Sequence, residues 1–174
     1  MAKLLQPTWK INSIYDIKPQ DLLDHNIEAA IIDLDNTLIA WNEWEHSQEM
    51  ANWIEEMLQA EIKLFLLSNN NEHRVKKACA PIGVPYKSMA LKPLPMAFRH
   101  ALSHLETAKE KTVIIGDQIM TDIIGANTNK IRSILVKPVA PNDNIYTQLN
   151  RALEKIVFKS IGVDPTKDWG DTLE

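Results

Sequence analysis

The chain has 174 residues, 45% of them hydrophobic, enough for one domain with a sizeable core. Its net charge of −4 and pI near 5.7 argue against a nucleic-acid protein that relies on a broad basic surface. A single cysteine, Cys79, excludes an intramolecular disulfide, and no Cys–His cluster has structural-zinc spacing.

In chain order, residues 1–27 read as an N-terminal extension punctuated by Pro7 and Pro19, with a short helix starting at Pro19. Its opening has no sustained apolar stretch, so no secretory signal is expected. No apolar run approaches the roughly 20 residues that cross a bilayer. A reducing cytoplasm is the expected compartment, with peripheral contact at a membrane left open.

Short apolar strands are predicted at Ala29–Leu34, Ile62–Leu67, Tyr86–Ala90, Thr112–Ile115 and Ser133–Val136. Helical patterns fall between them, at Ser47–Ala60, Glu72–Ala80, Pro95–Thr107 and Ile119–Asn127, and a last helix is expected near Ile145–Lys159. The domain so defined runs over 28–160, and 161–174 reads as a polar tail. The alternation predicts an α/β fold: a doubly wound, mostly parallel sheet with helices on both faces. Right-handed crossovers put every strand's carboxyl end on one edge, where open α/β sheets bind ligands.

The residues able to do chemistry all fall at that edge. Asp33-Leu34-Asp35-Asn36-Thr37 follows the first predicted strand. A carboxylate pair there can hold a hard cation and leave one oxygen free to attack phosphorus. Asp33 suits the nucleophile; Asp35 is placed to protonate a leaving alcohol and later activate water, its backbone carbonyl facing a metal. The pentad is also compatible with a polar turn or with the metal pair of a nucleotide-sugar transferase. Ser68-Asn69 follows the second strand, where a hydroxyl and an amide can bond phosphoryl oxygens or merely cap a helix. Lys92, stiffened by Pro93 and Pro95, could neutralise phosphoryl charge. Gly116 permits a tight exit from the fourth strand. Asp117 then fits a direct magnesium ligand and Asp122 a more distant one.

Asp33-Leu-Asp-Asn-Thr37, Ser68-Asn69, Lys92 and Gly116-Asp-Gln-x-x-Thr-Asp122 resemble, in order and spacing, the four motifs of the haloacid dehalogenase-like (HAD) phosphatases. The likeness spans roughly residues 28–137. Ser68-Asn-Asn-Asn-Glu72 with Arg74, Lys92-Pro93 and Gly116-Asp117-Gln118 are similar to the bacterial subfamily IIIA group often called YqeG, itself similar to phosphatidylglycerophosphate phosphatases. The resemblance implies a Rossmann-like core, Mg2+, and an aspartyl-phosphate intermediate on Asp33, with Asp35 as general acid/base. It also implies phosphoryl contacts from Thr37, Ser68, Asn69 and Lys92, and metal contacts from Asp33, Asp35, Asp117 and Asp122.

Only 32 residues separate Asp35 from Ser68, and 22 separate Asn69 from Lys92. A helix and a strand consume each gap, so neither can house a substrate-covering cap. An open site suits a bulky substrate, or a second subunit supplies the cover. The expected partner is a phosphorylated small molecule or a lipid headgroup; no nucleic acid is expected, and a homo-oligomer stays open. The remaining readings are a soluble phosphate ester or phosphoprotein as substrate, a phosphoryl-receiver domain, and a non-catalytic HAD-fold binding module. A receiver carries its acceptor aspartate on the third strand, an order this chain lacks. With five glycines, no glycine-rich phosphate loop can be built. Trp41 and Trp44, just past the pentad, suit packing within a flap or a lipid interface. His100 and His104 share a helix face but have no third ligand, and Cys79 suits a small buried hydrophobe.

Overall fold

The computed structural model describes residues 2–140 and 156–173. Ala29–Ile32, Lys63–Leu67, Thr112–Gly116 and Arg132–Val136 are near-continuous apolar runs, a pattern that only strands covered on both faces can use. They form β2, β3, β5 and β6 of an open six-stranded sheet completed by β1 (Trp9–Ile11) and β4 (Tyr86–Lys87). The strand order is β1-β6-β5-β2-β3-β4 and every pair is parallel.

Alternate side chains leave the sheet on opposite faces. Ala30, Ile32, Leu64, Leu66, Val113 and Ile115 enter one apolar layer. After the short α1 (Ala2–Leu5) and α2 (Pro19–Asp24), two helices cover it, α3 (Gln48–Gln59) through Trp53 and Met57, and α4 (Glu72–Cys79) through Val75 and Ala78. Ala29, Ile31, Phe65, Leu67 and Ile114 enter the other, under α5 (Pro95–Leu105) and α6 (Ile124–Asn129). Ser47 and Asn71 start α3 and α4 by accepting from the backbone N–H three residues on. Gly125 lets α6 lie against α5, since a Cβ there would meet the Phe98 ring at 2.1 Å. Cys79 is buried in the first layer, and burial pushes its thiol up to about 12.

Three differences from the sequence reading have physical causes. The opening residues supply an edge strand that was not anticipated: β1 pairs with β6, Trp9 opposite Ile134. Three residues are too few to show a strand period. Ile11, Ile14, Ile17, Leu22 and Ile27 all join the main core, as does Leu173 from the other end of the chain. The strand predicted over Tyr86–Ala90 stops at Lys87, because Met89 and Leu91 turn into left-handed backbone (φ 45° and 59°). The predicted helix at Ile119–Asn127 is split: its first turn, Ile119–Ile123, is a π-helix, a local widening frequent at functional sites. Residues 156–160 are helical, while most of the helix expected near Ile145–Lys159 lies outside the described residues.

The topology fixes where a ligand can sit. From β2 the chain winds outward through β3 and β4, then returns to β5 beside β2 and winds the other way. The crevice beyond the carboxyl ends of β2 and β5 is therefore the switch point of the sheet.

Candidate active site

Asp33 and Asp117 leave β2 and β5 side by side at this switch point. The Asp33 N–H bonds the Ile115 carbonyl (2.9 Å), extending the β2–β5 ladder by one residue and fixing the carboxylate's exit. The chain then folds tightly, with the N–H groups of Leu38 and Ile39 both reaching back to the Leu34 carbonyl. Asn36 takes left-handed backbone (φ 64°), a conformation asparagine tolerates better than most residues. Thr37 is thereby buried, with its hydroxyl 3.3 Å from Asp33 Oδ2 and 3.5 Å from Asp117 Oδ1.

Lys92 reaches across from the loop before α5. Its Nζ donates to Asp33 Oδ1 (2.6 Å) and to Asp122 Oδ1 (2.7 Å), and its side chain is 3% exposed. Asn69 aims it: the Asn69 amide oxygen accepts from the Lys92 N–H (2.7 Å) and the amide nitrogen donates to the Lys92 carbonyl (3.1 Å). The Asn69 amide, expected at a phosphoryl group, is engaged in holding this loop.

Asp122 comes from the π turn. Its Oδ2 accepts from the Gln118 N–H (3.2 Å), while its own N–H bonds the Gln118 carbonyl (3.0 Å). A Cβ on residue 116 would lie 2.3 Å from the Asp122 carboxyl group, so only glycine admits this approach. Gly116→Ala should cost about 1–3 kcal/mol, as overpacking does, and should weaken divalent-metal binding as well. Urea unfolding and metal titration of the variant measure both.

One carboxylate oxygen from each of Asp33, Asp117 and Asp122 lies within 4.8 Å of the other two. Three buried carboxylates meet a single ammonium, an excess of negative charge that a divalent cation would neutralise. The residues present thus fit a hard metal ion. Burial, only partly offset by Lys92, pushes Asp33 up to about 7, and Asp122 and Asp35 add to the rise.

Asp35 faces elsewhere. Its carboxylate is outside this trio and is held by groups from β3 and α4. Arg74 Nε and Nη2 both donate to Oδ1 (3.1 and 2.9 Å), and Ser68 Oγ (3.4 Å) and Asn70 Nδ2 (3.3 Å) donate to Oδ2. The Asp35 side chain stays 21% exposed. Arg74 also donates to the Ala40 carbonyl (3.2 Å) and to the Glu43 carbonyl, and stacks on Trp44 with its guanidinium carbon 5.5 Å from the ring centroid. It therefore joins the Asp35 turn to the tryptophan flap. In the sequence Arg74 carries no signal of this role, since a buried arginine among exposed lysines is visible only in three dimensions. Arg74→Lys should lower kcat by about tenfold with little change in KM, because an ammonium cannot reproduce the fork.

Other aromatic and histidine side chains have ring contacts of their own. Trp44 is exposed and lies over Arg74 and Lys77. Trp9 sits edge-on to His25, and exposed His100 and His104 lie near Phe65.

The sheet order and the carboxylate trio at its switch point are those of a doubly wound α/β protein with a candidate hard-metal site. Residues 90–138 match the family profile described as HAD-hydrolase-like. The chain is 38% identical over 161 residues to the probable phosphatase YqeG of Bacillus subtilis, covering 92% of this chain and 94% of that protein. It belongs to the HAD-like phosphatases, in the YqeG family. Among solved structures, the cobalt-bound deoxy-D-mannose-octulosonate 8-phosphate phosphatase of Haemophilus influenzae shares the fold (TM-score 0.54, 15% identity, 82% of this chain and 92% of that one). An uncharacterized protein from Listeria monocytogenes does so too (TM-score 0.52, 17% identity, 76% and 99%). The protein is an enzyme, a phosphatase; no described helix is long and apolar enough to cross a membrane.

Proposed function

We propose that the protein is a magnesium-dependent phosphate monoester hydrolase that works through an aspartyl-phosphate on Asp33 and acts on a phospholipid monoester of the phosphatidylglycerophosphate type. The observation that carries the chemistry is the contact of Lys92 with both Asp33 and Asp122 beside Asp117.

An Asp33 carboxylate oxygen forms a bond to phosphorus as the bond from phosphorus to the alcohol oxygen breaks. Asp35, entering the step in its acid form, gives that leaving oxygen its proton, then takes one from the water whose attack on phosphorus releases Asp33, which returns it to the acid. Ester and water become alcohol and phosphate, and both carboxylates return to their starting state. Lys92 keeps Asp33 oriented and places positive charge beside the transferred group, and the Ser68 hydroxyl, 1% exposed at the end of β3, donates to a phosphoryl oxygen. Arg74 holds Asp35 in place. Asp33, Asp117 and Asp122, with the Asp35 backbone carbonyl, would hold Mg2+, which when bound supplies further charge neutralisation at phosphoryl oxygens.

The lipid reading is supported by the two described stretches between these motifs, neither of which builds a cap. Between Asp35 and Ser68 the chain builds only the flap, α3 and β3; between Asn69 and Lys92 it builds α4, a short 3-10 turn and β4. The test is phosphate release from phosphatidylglycerophosphate in mixed micelles with Mg2+, run beside soluble phosphate esters. Lipid turnover well above ester turnover supports the reading, and ester turnover alone discards the lipid while keeping the chemistry.

A further inference from the structure

Large apolar side chains are unusually exposed in one short segment. Met89, Leu91, Leu94 and Met96 are 64%, 65%, 55% and 80% exposed, and they bracket Lys92, which is 7% exposed. Their setting is well ordered by hydrogen bonds. The Met89 N–H bonds the Asn70 carbonyl (2.8 Å), the Ala90 N–H the Ser68 carbonyl (3.0 Å), and the Leu94 N–H the Leu91 carbonyl (2.9 Å). Left-handed backbone at Met89 and Leu91 is costly for residues with side chains, and here it accompanies display of both to solvent. Trp44, stacked on the Arg74 that grips Asp35, is 47% exposed.

The charge around this lip is segregated. From His73 to Leu105 the chain has six Lys and Arg and no Asp or Glu, although its net charge is −4; one carboxylate, Glu72, reaches the base of the lip, where the hydroxyls of Tyr86 and Ser88 donate to it. Arg74 and Lys92 are used internally; Lys76, Lys77 and Arg99 are exposed and Lys87 partly so. Met96 and Arg99 are three residues apart on α5, hence on neighbouring positions of one helix face. Apolar side chains backed by basic ones are what an anionic bilayer surface accepts: the first enter the acyl boundary, the second meet the headgroups.

We propose that the 89–96 lip is the surface by which this phosphatase docks on an anionic phospholipid bilayer, with Met89, Leu91, Leu94 and Met96 inserted and Lys87 and Arg99 against the headgroups. The inference rests on the lipid reading of the site and adds a mode of access. A lip that inserts beside Lys92 brings a headgroup phosphate to the Asp33 edge without lifting the whole lipid out of the membrane.

The test is co-sedimentation with vesicles of phosphatidylcholine containing phosphatidylglycerol, using Asp33→Asn protein so that binding is read apart from turnover. Binding should require phosphatidylglycerol and fall with salt. Replacing Met89, Leu91, Leu94 and Met96 together by Ser should lower vesicle affinity at least about tenfold with an unchanged melting temperature, since these side chains leave little contact in the fold. Arg99→Glu, outside the loop, should weaken binding independently. Unchanged vesicle binding in both variants, or none in the parent, overturns the proposal. So does self-association without lipid that the serine variant abolishes, because the lip would then face a second copy. Vesicle binding without phosphatidylglycerophosphate hydrolysis keeps the docking surface and discards the lipid substrate. Hydrolysis in micelles without vesicle binding does the reverse.

Discussion

Asp33→Asn is expected to lower kcat by about four orders of magnitude or more while leaving the protein folded, because removing a covalent nucleophile forfeits the whole two-step route. Phosphate release under saturating substrate measures it, and acid-quenched protein from the parent, but not the variant, should carry acid-stable, base-labile phosphate. Equal turnover in the two proteins would sink the assignment. The same substitution has a second, opposite effect on stability. In the metal-free protein, burial holds Asp33 near 7, well above an ordinary carboxylate. Between pH 4 and 7 the folded state therefore binds more protons at this site than the unfolded state does. Its contribution to unfolding free energy falls as pH rises through that window and is at its least favourable above pH 7. Asparagine lacks this slope. The metal-free variant should thus melt several degrees above the parent at pH 8 and show little advantage at pH 4. A divalent cation, which favours the ionised carboxylate, should narrow the gap by raising the parent. Dead activity together with raised metal-free stability is a signature that a merely structural aspartate would not give.

The sheet was legible because its strands are buried on both faces and so read as short apolar runs between amphipathic helices. Asp33, Ser68 and Asp117 could be singled out because each sits at the end of such a run, where topology alone brings sequence-distant residues together, whereas Lys92 and Asp122 come a few residues later, from the loop before α5 and from the π turn. What escaped detection has local causes. Strand β1 is three residues long, and its pairing to β6 depends on a partner more than 120 residues away. Residues 73–105 carry basic and apolar side chains in a pattern that a helix or a buried strand would also show; only their exposure separates display from core. Asp35 and Asp33 are two residues apart and look alike in sequence. Yet one faces Lys92 and the other Arg74, because the turn after β2 sends successive carboxylates to opposite sides. Asn69 and Asn70 divide in the same way, the first gripping the Lys92 backbone and the second the Asp35 carboxylate.

Lys92→Met should be the most damaging single change to the metal-free fold. Burial works against the charge on this lysine, but Asp122 and Asp33 outweigh it and raise its pKa. A raised lysine contributes its full stabilisation below the unfolded value and loses it only as pH climbs through the folded one, so Lys92 is still charged at neutral pH. Methionine fills similar volume and removes the charge, leaving three carboxylates in a buried pocket. Removing one partner of a buried ion pair costs about 3–5 kcal/mol, because the partners left behind can neither pair nor return to water. The loss should be smaller at pH 5, where Asp33 takes up a proton instead, and larger at pH 8. Urea unfolding at the two pH values reads this difference directly, and an equal loss at both would show that shape, not charge, is what Lys92 supplies. Magnesium should restore part of the stability at pH 8, since a divalent cation can take over the neutralising role. It should not restore turnover, because Mg2+ does not replace the ammonium that the Asn69-held loop sets against the Asp33 carboxylate.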